Sequence, residues 1–233
     1  MLGFILPPTV LISRPKDDAE RLKKAILSTY PAAQIIMAPA ISIISVPFER
    51  PSTIFDAVVM TSKHAIHAAV NIAPQTPAIC VGDATARAAR AAGLTALSAK
   101  GTAQDLLDLV RKSNVSKVLY LRGQYVQKNL ESELNLAGIE TESRIVYQQN
   151  ANEFSAQALQ DLSASPALLV PIYSARSALI VSQNLIDFKG EITVVAISKP
   201  AAQGWSGLKM DKIVYADAPN SRAMLVAIAS QLT

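Results

Sequence analysis

Short β-rich runs alternate with helical stretches along nearly the whole chain, and this alternation most constrains the fold. The runs TVLIS at 9–13 and KVLYL at 117–121, for example, are each followed by a segment with helical periodicity. Strands that alternate with helices are typical of α/β proteins, in which the strands form parallel sheets. The sequence therefore predicts an α/β fold with parallel sheets.

One arrangement of strand, hydroxyl residue and helix occurs in two parts of the chain. The first copy spans residues 56–69 and 78–93, and the second spans 167–183 and 193–202. This recurrence predicts two similar parallel-sheet lobes, although unrelated α/β units can also resemble one another by chance.

The two lobes are not expected to follow one another in sequence. Long extended runs at 34–44 and 141–149 stand where the chain would cross between them. We expect a discontinuous lobe of residues 1–40 and 152–233 and an inserted lobe of residues 41–151. The crossing runs would pair as a two-stranded hinge, because paired strands satisfy their own backbone groups, and a cleft would separate the lobes.

The composition favours a soluble protein of the cytoplasm. Half of the 233 residues are hydrophobic and only 17% are charged, which excludes a disordered chain. No apolar run reaches the roughly 18–20 residues that span a bilayer, so no membrane association is expected. The lone cysteine, Cys80, excludes a disulfide framework, and residues 1–8 lack the basic start of a signal peptide.

The charge balance indicates a small anionic ligand rather than nucleic acid. The net charge is +4, from 22 Lys and Arg against 18 Asp and Glu. These cations are scattered, and aromatic residues make up only 5% of the chain. Nucleic-acid binding surfaces ordinarily combine basic runs with stacking aromatics, so no nucleic-acid partner is expected.

Small hydroxyl residues recur where a predicted strand ends and a helix begins. Helix N-termini attract anions, and ligands of open α/β sheets bind beyond the carboxyl ends of the strands. Plain helix capping is the alternative for each residue taken alone. The candidates are Thr61, Ser62, Thr85, Ser174 and Ser198.

Three other positions are candidates for the same edge. Arg122-Gly123 follows the strand KVLYL, where a guanidinium can hold a carboxylate; a surface salt bridge is the alternative. Tyr147 ends an extended run, where it is either a packed aromatic or a group with a chemical role. Tyr173 precedes Ser174 and could face the core or the cleft.

Several common chemistries lack their signatures. His64 and His67 share a helical face, but a zinc site needs a third ligand and neither HExxH nor a cysteine cluster is present. We therefore interpret both histidines as solvated helix residues. The sequence also contains no GxGxxG, P-loop or GxSxG motif, which disfavours Rossmann dehydrogenases and nucleophile-elbow hydrolases.

Seven short motifs, taken in their order along the chain, resemble the uroporphyrinogen-III synthase family. The resemblance covers nearly the whole chain, and its specificity comes from the succession of the motifs. They are LISRP at 11–15, VVMTSKHAIHAA at 58–69, CVGDATARAARAAGL at 80–94, VLYLRG at 118–123, RIVYQ at 144–148, YSARSA at 173–178 and AISKPAA at 196–202.

The resemblance implies a two-lobed lyase of tetrapyrrole (heme) biosynthesis. Such an enzyme closes the linear tetrapyrrole hydroxymethylbilane into a ring, with loss of water and inversion of ring D through a spiro intermediate. It implies no metal and no organic cofactor. This small polycarboxylate would be the only partner, and we expect a monomer.

The resemblance also implies roles for individual residues. Tyr147 matches a tyrosine proposed to assist departure of the hydroxyl group, and a tyrosine ordinarily keeps its proton at neutral pH. Thr85 matches a cleft threonine, and Ser62 and Ser174 match cleft serines of the two lobes.

Backbone N–H groups at four helix starts would then hold the substrate's carboxylates. One start departs from the family pattern, because Ser198 and Lys199 stand where relatives often show a glycine followed by threonines. Lys199 would there replace hydroxyl contacts with a charge. The four starts follow Thr61-Ser62, Gly82–Thr85, Tyr173-Ser174 and Ser198.

Two other classes of function stay open. One is a two-lobed binding or sensor protein that closes on a small anion without chemistry. The other is a nucleotide-sugar enzyme built from two Rossmann-like lobes, which the missing glycine loop disfavours.

Overall fold

The computed structural model describes residues 8–126 and 129–232, so nearly all of the apolar start at 1–8 lies outside the described residues. The chain divides into two compact units. Unit 1 comprises Met1–Ser42 and Asn150–Thr233, and unit 2 comprises Ile43–Gln149. Each unit is built around a sheet of its own.

Unit 1 contains five strands and five helices among its described residues. The strands are β1 (Thr9–Ile12), β2 (Ile35–Met37), β9 (Ala167–Ile172), β10 (Glu191–Ala196) and β11 (Lys212–Tyr215). The helices are α1 (Lys16–Thr29), α6 (Ala156–Ser163), α7 (Ala175–Asn184), α8 (Lys199–Ala202) and α9 (Ser221–Ala229).

The sheet of unit 1 is parallel throughout, in the order β11-β10-β9-β1-β2. Its central strands are covered on both faces, because Val10, Leu11 and Ile12 along β1 are all fully buried. Strands buried on both faces need continuous apolar runs, which is what the sequence provides. The parallel arrangement brings the carboxyl ends of all five strands to one edge of the sheet.

Unit 2 holds the remaining elements, apart from the ends of two strands that continue into unit 1. The strands are β3 (Ile41–Ser45), β4 (Ala57–Met60), β5 (Ala78–Cys80), β6 (Ala96–Ser98), β7 (Lys117–Gly123) and β8 (Glu140–Ala151). The helices are a 3₁₀ turn (Lys63–Ala65), α2 (Ile66–Ile72), α3 (Asp83–Ala91), α4 (Ala103–Lys112) and α5 (Leu130–Leu136).

The sheet of unit 2 has the order β3-β8-β7-β4-β5-β6, and the strands from β4 to β8 are parallel. The pairing of β3 with β8 is antiparallel. The N–H of Val46 donates to the carbonyl of Val146 at 3.1 Å, and the N–H of Asn152 donates to the carbonyl of Ala40 at 2.9 Å. The partner number thus rises as the residue number falls. These two strands carry the chain from one unit to the other.

The prediction of an α/β fold with parallel sheets is confirmed. One detail differs: the extended run at 34–44 forms two strands, β2 and β3, which belong to different sheets. Pro39 stands between them, where a residue without an N–H can interrupt a strand. Within the described part of the chain, no helix is long and apolar enough to cross a membrane.

Candidate functional site

The carboxyl edge of unit 2 collects the predicted residues of that unit. Thr61 and Ser62 follow β4, and Arg122-Gly123 ends β7, the strand beside it. Gly82 and Thr85 follow β5, which pairs with β4 on its other side. Parallel pairing therefore places these helix starts side by side.

The helix starts of this edge differ in what they offer a ligand. Ser62 caps the 3₁₀ turn, where its Oγ accepts from the N–H of His64 at 3.3 Å. Gly82 occupies the cap position of α3 without contributing a side chain. Thr85 is buried in the first turns of α3, at 8% exposure, so its hydroxyl belongs largely to the interior of unit 2.

Tyr147 packs inside unit 2. The residue is 6% exposed and belongs to the same core cluster as Val58, Leu119 and Leu121. It does not end its strand, since β8 continues to Ala151. This burial agrees with the interpretation of Tyr147 as a packed aromatic. A chemical role for Tyr147 would use the hydroxyl group at the end of its ring.

His64 lies beside Tyr147, a contact that the sequence pattern did not indicate. Its ring centroid lies 5.6 Å from that of Tyr147, with the planes tilted by 58°. The residue is half-buried, so the interpretation of His64 as a solvated residue is wrong, whereas His67 is exposed as expected. Among the residues that the structure describes, no three His, Cys, Asp or Glu side chains cluster closely enough to hold a metal ion.

A second phenol reaches the same edge from the opposite face of the sheet. The Oη atom of Tyr120 lies 3.5 Å from the Oγ1 atom of Thr61, and burial raises the pKa of Tyr120. Its hydroxyl group therefore keeps its proton at neutral pH. The tyrosine within KVLYL is the only sign of this contact in the sequence. The sequence does not show how far its side chain extends along the strand.

Arg122 is tied to its own strand. Its Nη1 donates to the carbonyl oxygen of Gly123 at 3.1 Å, and the side chain is half-buried. The guanidinium therefore stabilises the end of β7 and remains at the carboxyl edge, where it can also meet a carboxylate.

The carboxyl edge of unit 1 carries its own set of helix starts. Tyr173-Ser174 follows β9, Ser198-Lys199 follows the neighbouring β10, and Arg14 follows β1 on the other side of β9. Both pairs of positions and Arg14 therefore lie at adjacent points of one sheet edge.

Both candidate serines of unit 1 cap helices. Ser174 and Ser177 form a capping box: the N–H of Ser177 donates to Ser174 Oγ at 3.1 Å, and the N–H of Ser174 donates to Ser177 Oγ at 3.2 Å. Ser198 caps α8, where its Oγ accepts from the N–H of Ala201 at 3.3 Å. Lys199 is exposed at the first position of this four-residue helix.

Arg14 is the residue of this edge that the candidate set lacked. Its guanidinium lies over the Tyr173 ring, 4.0 Å from the centroid, and its Nη2 pairs with Asp18 Oδ2 at 3.0 Å. Burial raises the pKa of Tyr173, and the charge of Arg14 opposes that rise. The motif LISRP contains this arginine, but the pattern alone did not show that it stacks on Tyr173.

Cys80 is not a nucleophile in this fold. The thiol is buried, and desolvation raises its pKa to about 11 despite the opposing charge of Arg90. The thiolate is the reactive form, so alkylation of the folded protein at neutral pH should be about 100-fold slower than that of an exposed thiol. Iodoacetamide labelling followed by mass spectrometry measures this rate. Labelling at the rate of the guanidinium-unfolded protein would contradict the buried environment.

The fold and the two sheet edges together define the class of the protein. Each of the two compact units contains a mainly parallel sheet whose carboxyl edge carries capped helix starts and phenol groups, and the sequence has no glycine-rich nucleotide loop. The family model described as uroporphyrinogen-III synthase HemD matches residues 23–226. The chain therefore belongs to the uroporphyrinogen-III synthase family, whose enzymes are cyclising lyases.

Solved structures support the same fold. Uroporphyrinogen-III synthetase from Helicobacter pylori aligns with a TM-score of 0.64 at 16% identity, over 96% of this chain and 99% of its own. A mutant uroporphyrinogen III synthase from Thermus thermophilus aligns with a TM-score of 0.55 at 17% identity, over 97% and 98%. A search of curated proteins found no match. At these identities the likenesses establish the fold.

Proposed function

We propose that this chain is a uroporphyrinogen-III synthase that closes hydroxymethylbilane into a macrocycle with ring D inverted. The observation that carries the proposal is the family match over residues 23–226, which includes the carboxyl edge of unit 2 and the helix starts after β9 and β10 of unit 1. We also predict that the protein acts as a monomer in the cytoplasm, with no nucleic-acid or membrane partner.

The reaction requires a proton donor and a way to fold the substrate. A proton delivered to the terminal hydroxyl group lets it leave as water, which produces an electrophilic azafulvene. Ring D then attacks through its substituted carbon to give the spiro intermediate, which fragments and recloses inverted. The final ring closure releases a proton, so the donor is restored and one water is lost overall. Because the pyrroles are electron-rich, acid assistance and positioning are the contributions that a protein can add.

In unit 2 we assign the proton to Tyr147. Its hydroxyl end lies at the end of β7, beside Gly123, and its ring is fixed by the surrounding core. Backbone N–H groups after Thr61-Ser62 and Gly82, together with Arg122, would hold carboxylates at the same edge. Thr85 supports the α3 start from within the interior.

In unit 1 we assign carboxylate binding to the starts after Tyr173-Ser174 and Ser198-Lys199. Arg14 adds a guanidinium beside Tyr173, and Lys199 adds an exposed ammonium group. The substrate carries an acetate and a propionate on each ring, so a distributed set of donors suits it better than one cationic cluster.

Replacing one serine at a helix start should weaken binding modestly. We expect Ser62→Ala or Ser174→Ala to cost about 0.5–1.5 kcal/mol of product affinity, as one hydrogen bond among several. Anaerobic titration with uroporphyrinogen III measures the change. Ser155→Ala is the matched control, because Ser155 caps α6 in the same way but lies outside the candidate set. Complete loss of binding in either variant would rule out a distributed set of donors.

Turnover of hydroxymethylbilane tests the proposed function. The substrate is generated enzymatically, the purified chain is added at rising concentration, and the products are oxidised and separated by isomer. We expect the inverted isomer to increase in proportion to the protein. Binding of the bilane without faster formation of that isomer would instead favour the small-anion-binding or sensor protein.

A further inference from the structure

The strand that carries Tyr147 contains a bulge beside Gly123. Arg122 of β7 pairs with Ile145 of β8, but the next residue, Gly123, pairs with Tyr147, so Val146 is an extra residue on β8. A bulge of this kind changes the direction in which the following side chains point.

The change of direction is visible in the packing. Val146 and Tyr147 are consecutive residues, yet both are buried in the same core cluster, at 3% and 6% exposure. Consecutive residues of a regular strand point to opposite faces of the sheet. The bulge therefore directs the Tyr147 ring to the face that it shares with Leu119 and Leu121.

Gly123 provides the space in which this ring lies. A Cβ atom at position 123 would stand 2.5 Å from Cε2, 2.6 Å from Cζ and 2.9 Å from Oη of Tyr147. Real Cβ atoms essentially never approach other atoms to below 3.0 Å, so any side chain here would displace the phenol end of the ring. The missing side chain is needed at the part of Tyr147 that carries the hydroxyl group.

Backbone and side-chain hydrogen bonds fix both sides of this contact. The N–H of Gln124 donates to the carbonyl of Tyr147 at 3.0 Å, and Arg122 Nη1 donates to the carbonyl of Gly123 at 3.1 Å. The His64 ring adds a contact to the tyrosine ring. The phenol is therefore placed by a backbone that has little freedom to adjust.

We propose that Gly123 and the bulge at Val146 form a seat that fixes the position of the Tyr147 hydroxyl group, and that Gly123 is a positioning residue for the reaction. The catalytic part of this inference rests on the proposed function. The seat assigns to Gly123 a role through its missing side chain, in place of direct contact with the substrate.

Gly123→Ala should reduce turnover because its methyl group displaces the phenol. We expect kcat to fall about tenfold or more, as for loss of the acid itself, with KM changed less than about threefold. Steady-state kinetics with hydroxymethylbilane measures both constants. Full turnover by a folded Gly123→Ala protein would overturn the proposal.

A double variant separates positioning from a general structural effect. If Gly123 acts through the phenol, the Gly123→Ala/Tyr147→Phe protein should turn over no more slowly than Tyr147→Phe alone, because the lost interaction is the same one. If the two losses multiply instead, Gly123 acts independently of the tyrosine and the seat is wrong.

A stability cycle tests the contact without using activity. Gly123→Ala should lower Tm by roughly 5 °C in the natural background, as overpacking does, but hardly at all in a Tyr147→Leu background, where the aromatic ring is gone. Equal losses in both backgrounds would refute the seat. If Tyr147→Phe retains full activity while this coupling persists, Tyr147 is not the proton donor. Gly123 then has a role in packing but none in the reaction.

Discussion

Turnover of hydroxymethylbilane is expected to fall about tenfold or more in Tyr147→Phe, because general acid help is typically worth at least that much. The substitution removes one oxygen and leaves the ring to fill the core of unit 2. Substrate affinity and Tm should therefore change little. Steady-state kinetics and thermal unfolding, followed by circular dichroism, measure these quantities.

The alternatives to Tyr147 are few among the described residues near this edge. Cys80 is buried with a raised pKa, and Tyr120 reaches the edge from the other face of the sheet. Tyr120→Phe is therefore the informative companion variant. Full activity in Tyr147→Phe together with a large loss in Tyr120→Phe would transfer the role to the second phenol.

Gly204→Ala is expected to destabilise unit 1 by about 3 kcal/mol, at the upper end of the usual cost of overpacking. A Cβ at Gly204 would lie 2.6 Å from Cα of Ala175 and closer still to the carbonyl group of that residue. Backbone cannot rotate away as a side chain can, so the start of α7 must move. For a chain of this length, Tm should fall by roughly 6–12 °C.

Gly82→Ala is the control for this variant. Gly82 has φ −146°, and no other atom lies within 4 Å of the added methyl group, so a cost below about 1 kcal/mol is expected at a cap position.

Because Ser174 immediately precedes Ala175, Gly204→Ala should also weaken product binding. Equal stability of the two variants would show that α7 and α8 can separate at little cost.

The fold class was predictable because buried parallel strands must be almost entirely apolar. TVLI at β1 and AVVM at β4 are buried at every position, and each leads into a helix. The hydroxyl residues at helix starts were predictable for a related reason: Ser62, Ser174 and Ser198 all cap the helices that follow them. Local sequence rules therefore predict the strands and helices, and the hydroxyl residues at the carboxyl edges of the sheets.

The contacts between strands were not predictable in this way. The bulge at Val146 depends on the register of β8 against β7, which no local pattern in RIVYQ indicates. The contact of His64 with Tyr147 and the stacking of Arg14 on Tyr173 join residues far apart in sequence. A charged or aromatic residue next to a motif gives no sign of which distant ring it will meet.

We propose that the rate depends on the Tyr147 hydroxyl group, whereas the choice of ring isomer depends on how the protein holds the folded substrate. The most direct test is the isomer composition, measured with the initial rate, of the uroporphyrinogen that Tyr147→Phe forms from hydroxymethylbilane, after subtraction of closure without protein. We predict a slower reaction whose product is still mainly the inverted isomer. Formation of only the uninverted isomer, or an unchanged rate, would contradict the claim.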